Sequence, residues 1–586
     1  MYKSKVMYDV KVPMRDGIKL SANVYFPKES ENEGPFPVLM NRTPYIKDSA
    51  GKAPSRAGTK LFTDSGYAVI YVDVRGRGDS EGTFVPYFQE IADGYDSFEW
   101  AGTQPWSNGK IGTWGGSYEG WTQLFPMRLQ SKYHKAAFVQ CAPSMHPFHD
   151  CSAYISGVPS MIMAMWSFFV NGRTNKEEVS DLDFDWESML NVRPLKDTMQ
   201  KLGISSEDSR LNPFVDHETY DDYGRKLWDE DNTSSLMRVP SYFVTGWFDD
   251  SINGSLEHFP QLTKKHPDET VRKSHKLLIG PWPHRLSTDS SKMGDFDYGP
   301  NSMVPLYKEA KLWFDYWLKG IDNGIMKEPP VNLFLMGENR WINSDSFPLN
   351  NAFPRSYFLG ATRSSNSLIG DGKLADSFGS AQTSTFVYNP ERPAPAPFWK
   401  EQFQNGANED LRSIQRRDDV LVFTSEPLSS PLNIVGMISL ELYVSTSAVD
   451  TDFVGRLSDV SPDGYAMRLN HGIFRLRYRD GYDKIKLVTP GEILKININM
   501  WATGHQFKAG NRVRLEVTSS AFPTFAPNYN TGGSVWAEDK PIIANQTVYH
   551  NKDYPSRLML QEIMNPEYSE FWTMKRWEPK MNSSAA

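Results

Sequence analysis

The most diagnostic segment of the chain reads Gly112-Thr113-Trp114-Gly115-Gly116-Ser117-Tyr118-Glu119-Gly120. It joins a predicted strand at 110–113 to a helical pattern that begins at Tyr118. Small residues allow a sharp strand-to-helix turn, which would lift the Ser117 hydroxyl to the carboxyl edge of a sheet. The strict Gly-x-Ser-x-Gly spacing fails because Glu119 occupies the last glycine position. The segment therefore predicts a nucleophilic Ser117, with a glycine-rich turn carrying an incidental serine as the alternative.

The residues on both sides of this motif alternate between strand and helix patterns. Residues 8–26 alternate in polarity around a turn at 15–17, which predicts a β-hairpin. Helices are expected to end near 60–65 and to span 88–103. Two short apolar runs, 36–41 and 67–74, are typical of buried strands, and 110–113 is expected to form a further strand. Strands and helices in series predict an α/β fold with a mostly parallel sheet.

The pattern changes twice farther along the chain. Charged, helical spacing after about 145 predicts a helical insertion, and strand patterns at 241–245 and 276–279 return before an amphipathic helix at 305–319. After about 350, short alternating segments separated by Pro, Gly and Asn indicate an all-β sandwich or jelly roll. Residues 364–397, rich in Ser, Gly, Ala and Pro, are expected to form a long surface excursion. The predicted segments are a core in two parts (1–144 and 238–349), a cap (145–237) and a β-domain (350–586).

A serine nucleophile needs a base and an orienting acid, in the chain order Ser, Asp or Glu, His. His284 is the histidine that directly follows a predicted strand, so it is the candidate base, with a buried or surface histidine as the alternative. The preceding strand runs into Asp249 and Asp250. Either aspartate fits the acid, and Asp249 is favoured by its position because Asp250 can cap the following helix.

An oxyanion hole needs donors aimed at the developing negative charge. The backbone N–H of Tyr118 follows the nucleophile and is the expected first donor. The second donor should come from the loop after strand 36–41, where Tyr45 offers a hydroxyl. The residues alone favour the alternative, in which Tyr45 is a packed loop tyrosine.

The composition excludes several classes of function. The 586 residues carry a formal net charge of -8, whereas nucleic-acid-binding proteins usually show a basic excess. We find no apolar run near the ~20 residues of a membrane span, and the N-terminus lacks the apolar part of a secretion signal. The two cysteines, Cys141 and Cys151, cannot form a disulfide framework, which favours a reducing, cytoplasmic location.

Neither a metal nor a cofactor is expected. His146, His149 and Asp150 cluster in sequence, but no Cys/His spacing elsewhere supports a metal site. The glycines of segment 76–82 miss the dinucleotide-binding spacing by one residue. Asp150 is instead a candidate for the substrate pocket, with a solvated loop acid as its alternative.

Five segments together resemble the CocE/NonD hydrolases, which include cocaine esterase, α-amino-acid ester hydrolases, glutaryl-cephalosporin acylases and Xaa-Pro dipeptidyl peptidases. The segments are 73–82, 104–110, 115–120, 246–249 and 280–284. The resemblance implies an α/β-hydrolase core with an inserted helical cap and a C-terminal jelly roll. It also implies roles for Ser117 as nucleophile, Asp249 as acid, His284 as base and Tyr45 as side-chain oxyanion donor.

These parts predict a serine esterase that acts on small molecules through an acyl-enzyme, with amides as a further substrate class. An aminoacyl-specific hydrolase is the alternative. The α-amino-acid ester hydrolases share Ser-Tyr-Glu-Gly, but they place two carboxylates where this chain has Ser251 and Ile252. The dipeptidyl peptidases usually carry a long N-terminal domain, whereas the first hairpin here begins by Tyr8.

The remaining predictions concern aromatic residues and partners. Trp166 and Phe248 are candidates for an aromatic acyl wall, against ordinary packing in the cap and core. A non-catalytic binding protein is the alternative from another class, in which exposed Phe522, Phe525 and Tyr529 of the β-domain would recognise a ligand. The sequence leaves the oligomeric state open, with a homodimer as one option.

Overall fold

A computed structural model describes thirteen segments of the chain: residues 5–27, 34–48, 55–144, 153–175, 188, 190–205, 207–227, 230–286, 288–378, 381–396, 409–570, 572 and 574–577. Two large sheets organise these segments, a mixed ten-stranded sheet and an eleven-stranded sheet. Within the described residues, none of the helices has the length and apolar character that crossing a membrane requires.

The first sheet is built from the strands β1 (Val6–Pro13), β2 (Lys19–Tyr25), β3 (Phe36–Thr43), β4 (Ala68–Asp73), β5 (Ser107–Gly116), β6 (His134–Gln140), β9 (Ser241–Phe248), β10 (Lys276–Pro283), β13 (Val331–Leu335) and β14 (Arg340–Ser344). Their order is β1-β2-β4-β3-β5-β6-β9-β10-β13-β14. Between β10 and β13 the chain also forms a separate antiparallel ribbon of β11 (Lys292–Met293) and β12 (Phe296–Asp297). The seven strands from β4 to β13 in this order are parallel, and β1, β2 and β14 add antiparallel edges. Strands β4, β9 and β10 are buried along their whole length, as their apolar runs predict for a sheet covered on both faces.

The described helices are α1 (Ser55–Asp64), α2 (Glu90–Gly102), α3 (Tyr118–Leu124), α4 (Ile162–Phe169), α5 (Thr198–Lys201), α6 (Asn212–Asp216), α7 (Asp222–Arg225), α8 (Glu230–Leu236), α9 (Ile252–Pro260), α10 (Glu269–Arg272), α11 (Leu306–Lys319) and α12 (Arg412–Gln415). Helix α11 shows why the sequence folds this way. Its apolar residues recur at helical spacing, so Trp313, Phe314 and Leu318 are buried on one face. It ends at Gly320, which adopts the left-handed conformation that glycine allows at a helix C-terminus.

In the described part of the chain between β6 and β9, the regular elements of the insertion are mainly helices. The insertion contains α4 to α8 and a two-stranded ribbon of β7 (Tyr154–Ile155) and β8 (Val158–Pro159). The insertion therefore leaves and re-enters the core at neighbouring parallel strands. The exact borders of the four predicted segments stay predictions.

The second sheet is all-β and follows the core in sequence. Its strands are β15 (Ala352–Gly360), β16 (Lys373–Ala375), β17 (Thr383–Tyr388), β18 (Leu421–Thr424), β19 (Leu432–Thr446), β20 (Asp452–Val460), β21 (Ala466–Arg475), β22 (Leu494–Phe507), β23 (Arg512–Thr518), β24 (Ala544–Tyr549) and β25 (Arg557–Ile563). The neighbouring strands are antiparallel except for β16 and β18. The expected surface excursion at 364–397 is wrong in part, because β16 and β17 join the sheet and bury Leu374, Phe386 and Tyr388.

The end of the chain returns from the β-domain to the core. Arg576 forms ion pairs with Glu309 of α11 at 2.8 Å and with Glu328 at 2.6 Å. Trp572 is buried and donates its indole N–H to Asn332 of β13. The two folding units are therefore joined by charged and aromatic contacts as well as by the chain itself.

Candidate active site

Ser117 lies in a strained turn between β5 and α3. Its φ of 59° and ψ of -125° fall in a region that non-glycine residues rarely adopt. Gly115 two residues earlier has φ 141°, and a Cβ there would lie 2.5 Å from Glu119 Oε2 and 2.7 Å from Asn41 Nδ2. The turn therefore requires glycine, and it presents a partly exposed serine side chain beyond the carboxyl end of β5.

Glu119, which breaks the strict glycine spacing, holds this turn in place. Its Oε2 accepts hydrogen bonds from the Gly116 backbone N–H at 3.2 Å and from Asn41 Nδ2 at 2.9 Å. Asn41 belongs to β3, the strand that leads to Tyr45. Burial raises the pKa of the Glu119 carboxyl, while hydrogen bonds from Thr43 and Asn41 oppose the shift. Sequence reasoning missed this function, although a carboxylate among small residues was the available signal.

Asp249 and His284 follow β9 and β10, which are adjacent and parallel, so their side chains meet at one edge of the sheet. Nδ1 of His284 lies 2.7 Å from Oδ1 of Asp249. The Asp249 carboxylate is buried and also accepts from Thr245 Oγ1 at 2.6 Å and from the Ser251 backbone N–H at 2.9 Å. Asp250 is nearby as well, with Oδ1 3.1 Å from the same imidazole nitrogen. The imidazole therefore faces two carboxylates. The carboxylate of Asp249 is itself held by hydrogen bonds from Thr245 and Ser251.

These contacts set the protonation of the pair. Burial works to raise the pKa of Asp249, but the imidazole of His284 and the hydrogen bonds from Thr245 and Ser251 lower it overall. Burial works to lower the pKa of His284, but the carboxylates of Asp249 and Asp250 raise it overall. The carboxylate stays ionised, and the imidazole gains proton affinity.

Cys141 lies beside the same pair. Its Sγ donates to the backbone carbonyl of His284 at 3.1 Å, and potential ligand atoms of Cys141, Asp249 and His284 lie within 4.8 Å of one another. Burial raises the pKa of the Cys141 thiol, which opposes the thiolate that metal ligation needs. The group is therefore better described as an acid–base pair beside a neutral thiol.

Tyr45 lies after β3, which is the parallel neighbour of β5. Its hydroxyl contacts the side chain of Ser117 and accepts a hydrogen bond from Trp166 Nε1 at 3.1 Å. Burial raises the pKa of Tyr45 to about 12, with the hydrogen bonds to Trp166 and Ser117 acting in the other direction. The phenol is therefore protonated at neutral pH and able to donate.

The side chain of Tyr118 is anchored away from the serine. Its hydroxyl donates to Glu90 Oε1 at 3.0 Å and accepts from the Tyr87 backbone N–H at 2.9 Å. Glu90 in turn pairs with Arg42 at 2.8 Å, and both are buried. These contacts fix the residue whose backbone N–H follows the predicted nucleophile.

The other predicted residues are distributed as follows. Phe248 is the last residue of β9 and is buried, and Trp166 of α4 is half-buried. Asp150 lies outside the described residues. The β-domain aromatics proposed as an exposed recognition surface are buried, with Phe522, Phe525 and Tyr529 exposing only 6%, 2% and 4% of their surface. The binding-protein alternative was therefore wrong in its premise, because these rings pack in the core.

Comparison with known proteins identifies relatives across both units. Residues 16–285 match the family of X-Pro dipeptidyl-peptidases (S15 family), and residues 323–559 match the X-Pro dipeptidyl-peptidase C-terminal non-catalytic domain. Cocaine esterase from Rhodococcus sp. (strain MB1 Bresler) is 32% identical over 582 residues, covering 95% of this chain and 98% of that protein. This chain belongs to the CocE/NonD family.

Solved structures agree with the CocE/NonD fold. An α-amino-acid ester hydrolase superimposes with a TM-score of 0.83 at 22% identity, covering 95% of this chain and 96% of that one. An aminopeptidase from a marine sediment Thaumarchaeota archaeon gives a TM-score of 0.80 at 23% identity, covering 96% and 97%. These likenesses confirm the predicted α/β-hydrolase core with a C-terminal all-β domain, while the jelly-roll topology stays a prediction.

Membership in the CocE/NonD family also decides the reaction class. The chain is a serine hydrolase of small-molecule esters, as the sequence predicted. The alternative of a non-catalytic binding protein is thereby wrong in its conclusion as well as in its premise. An aminoacyl-specific hydrolase remains compatible with the relatives.

Proposed function

We propose that this serine hydrolase cleaves esters with Ser117 as nucleophile, His284 as base and Asp249 as the orienting acid. The observation that carries the proposal is the 2.7 Å hydrogen bond between His284 and Asp249 at the sheet edge that also presents Ser117. One strand, β6, separates β5 from β9, so the three residues follow strands that lie close together. This arrangement supports a Ser-His-Asp triad.

The reaction proceeds in two steps. His284 takes the Ser117 proton through Nε2 while Oγ bonds to the ester carbonyl carbon, and the protonated imidazole then gives that proton to the departing alkoxide. Water subsequently attacks the acyl-enzyme with His284 again as base, which releases the acid and restores the serine. Asp249 holds Nδ1–H and stabilises the imidazolium that forms in each step.

The negative oxygen of each tetrahedral intermediate needs two donors. The Tyr118 backbone N–H and the Tyr45 hydroxyl are proposed for this role, because both adjoin Ser117. The anchored side chain of Tyr118 and the protonated phenol of Tyr45 support the assignment. Both donors are positioned before substrate binds, which is what makes such stabilisation effective.

For the substrate class we propose acyl esters without a free α-amino group, with amides as poorer substrates. A buried ammonium group would need carboxylates nearby. The two residues that follow Asp250 are Ser251 and Ile252, both buried and neither acidic. Trp166 and Phe248 are proposed as apolar walls for the acyl group. Asp150 remains a proposed pocket residue from sequence alone.

A substrate panel tests this proposal. Aryl acetates, benzoates, aminoacyl esters and Xaa-Pro amides are compared by kcat/KM, with Ser117→Ala and His284→Ala measured beside the wild type. We expect acetates or benzoates to be preferred and both variants to lose roughly 10⁴-fold or more in kcat. Preference for aminoacyl esters would select the aminoacyl alternative, and near-wild-type kcat in either variant would exclude the triad.

The setting of the enzyme is also a proposal. A cytoplasmic location rests on the cysteine content, with Cys141 as a free, buried thiol. The absence of a basic excess supports a small-molecule substrate and argues against nucleic acid. A homodimer is proposed as the assembly to test by light scattering.

A further inference from the structure

Trp166 connects the cap to both proposed oxyanion donors. It lies in α4, and its Nε1 is 3.1 Å from the Tyr45 hydroxyl. Its ring stacks on Tyr118 with the centroids 5.7 Å apart and an interplanar angle of 17°. The same ring is nearly parallel to Tyr87, at 6.4 Å and 11°.

We propose that Trp166 is a positioning residue for the oxyanion hole, which aims the Tyr45 hydroxyl through its indole N–H in addition to any part it plays as an acyl wall. The inference rests on the proposed function, since it assumes that Tyr45 donates to the oxyanion.

The direction of the hydrogen bond carries the inference. An indole N–H only donates, so the Tyr45 oxygen must accept from Trp166. The hydroxyl proton of Tyr45 then cannot point at Trp166, and the same hydroxyl also contacts the Ser117 side chain. Accepting one hydrogen bond also polarises the hydroxyl and strengthens the bond that it donates. Trp166 thus biases Tyr45 toward donation at the place where the oxyanion develops.

The indole of Trp166 is held in place by its stacking on Tyr118. Tyr118, on which it stacks, is fixed by hydrogen bonds to Glu90 and to the Tyr87 backbone N–H. Stacked aromatic pairs of this geometry add stability beyond their buried area. The orientation of Trp166 therefore depends on the same residue whose N–H is the first proposed donor.

The loop that carries Tyr45 is tied to the end of α4 by separate contacts. Asn175 Nδ2 donates to the Tyr45 backbone carbonyl at 2.8 Å. The buried guanidinium of Arg77 donates to the backbone carbonyls of Pro44 and Val170, each at 2.8 Å. The Tyr45 loop and the end of α4 are thus joined by side chain–backbone hydrogen bonds that do not involve the indole of Trp166.

The test is a double-mutant cycle between Trp166→Phe and Tyr45→Phe, measured by kcat and KM on one aryl ester. Phenylalanine keeps an aromatic ring in the stack but removes the N–H. We expect Trp166→Phe to lower kcat about three- to tenfold, the usual range for one hydrogen bond, with little change in KM. The Tyr45→Phe variant has no hydroxyl to orient. Adding Trp166→Phe to it should therefore leave kcat within twofold of the value for Tyr45→Phe alone.

Trp536→Phe is the matched control. Its Nε1 donates to the hydroxyl of Tyr154 at 2.8 Å, so the variant loses the same kind of bond at a tyrosine that has no proposed part in the reaction. We expect this control to keep wild-type kcat, and melting temperatures of all variants report folding separately.

The outcomes separate the inference from the function on which it rests. Two results would overturn the positioning role and leave the triad and Tyr45 in place. One is an equal fold-loss of kcat from Trp166→Phe in the wild type and in Tyr45→Phe, and the other is a rise in KM with unchanged kcat. Wild-type kcat in Tyr45→Phe would remove the proposed side-chain donor and the inference with it. A large loss in Tyr45→Phe that masks the effect of Trp166→Phe supports both.

Discussion

The hydroxyl of Tyr45 contacts the side chain of Ser117, although the two residues are 72 positions apart in the chain. They meet because β3 and β5 are adjacent parallel strands whose carboxyl ends share one edge of the sheet. The chain runs from β3 to β4 on one side and reaches β5 on the other. Ligand sites in open α/β sheets form at such a reversal of strand order.

Tyr45→Phe should lower kcat while KM and the melting temperature stay nearly unchanged. The hydroxyl is proposed to bind a charge that develops only on the way to the transition state, and losing one such donor typically costs ~10²–10³ in kcat. Steady-state kinetics on an aryl ester, beside a thermal melt, provide the measurement. A kcat within about threefold of wild type would show that Tyr45 only packs in its loop.

Asp249→Asn should cost far more activity than Asp250→Asn. Asp249 is buried and hydrogen-bonded to His284, so without its carboxylate the imidazole is no longer held in the tautomer that carries the proton on Nδ1. Asp250 faces the same nitrogen from a partly exposed position. We expect the two kcat values to differ by roughly a hundredfold or more. Comparison of both variants on one ester decides the matter, and a reversed ranking would move the acid to Asp250.

The pH dependence of kcat/KM should follow His284. The base must be neutral to act, and the carboxylates of Asp249 and Asp250 raise its pKa above the ordinary 6.5. Activity should therefore rise with pH through an apparent pKa above 6.5. Asp250→Asn removes one of the two charges, so its profile should shift to lower pH. An unchanged profile would mean that Asp250 does not act on the imidazole.

Arg576→Ala should destabilise the protein without changing the chemistry. The guanidinium is buried between Glu309 and Glu328, and breaking a buried ion pair leaves uncompensated charge at a cost of about 3–5 kcal/mol. We expect a lower melting temperature and wild-type kcat at temperatures where the variant is folded. Lys273→Ala, which removes an exposed pair with Glu269, is the control and should melt like the wild type. Equal melting temperatures would show that this contact does not join the two units.

Local signals in the sequence were sufficient for the triad candidates. Ser117, Asp249 and His284 each follow a recognisable strand, so their order in the chain and the rule that parallel strands end at one edge predicted their proximity. The partners of Trp166 and Glu119 were not predictable in this way. Trp166 and Tyr45 are 121 positions apart, and Glu119 and Asn41 are 78 positions apart. Such contacts depend on how the cap and β3 pack.

Two sequence-based expectations failed in the β-domain, one of them drawn from composition. Ser, Gly, Ala and Pro in 364–397 indicated a surface excursion, but β17 pairs with β24, which lies about 160 residues later. The alternative of a non-catalytic binding protein needed Phe522 and Phe525 to be exposed, yet they are buried in the same hydrophobic cluster as the core. Burial by distant segments leaves no local pattern, because pairing partners are set by the fold.

Labelling with a fluorophosphonate, read by intact mass, tests the central claim most directly. The probe phosphonylates an activated serine and depends on the base that activates it. We predict one adduct on the wild type, none on Ser117→Ala, and greatly slowed labelling of His284→Ala. An undiminished adduct on Ser117→Ala, or an unlabelled wild type that still hydrolyses esters, would contradict the assignment of Ser117 as the nucleophile.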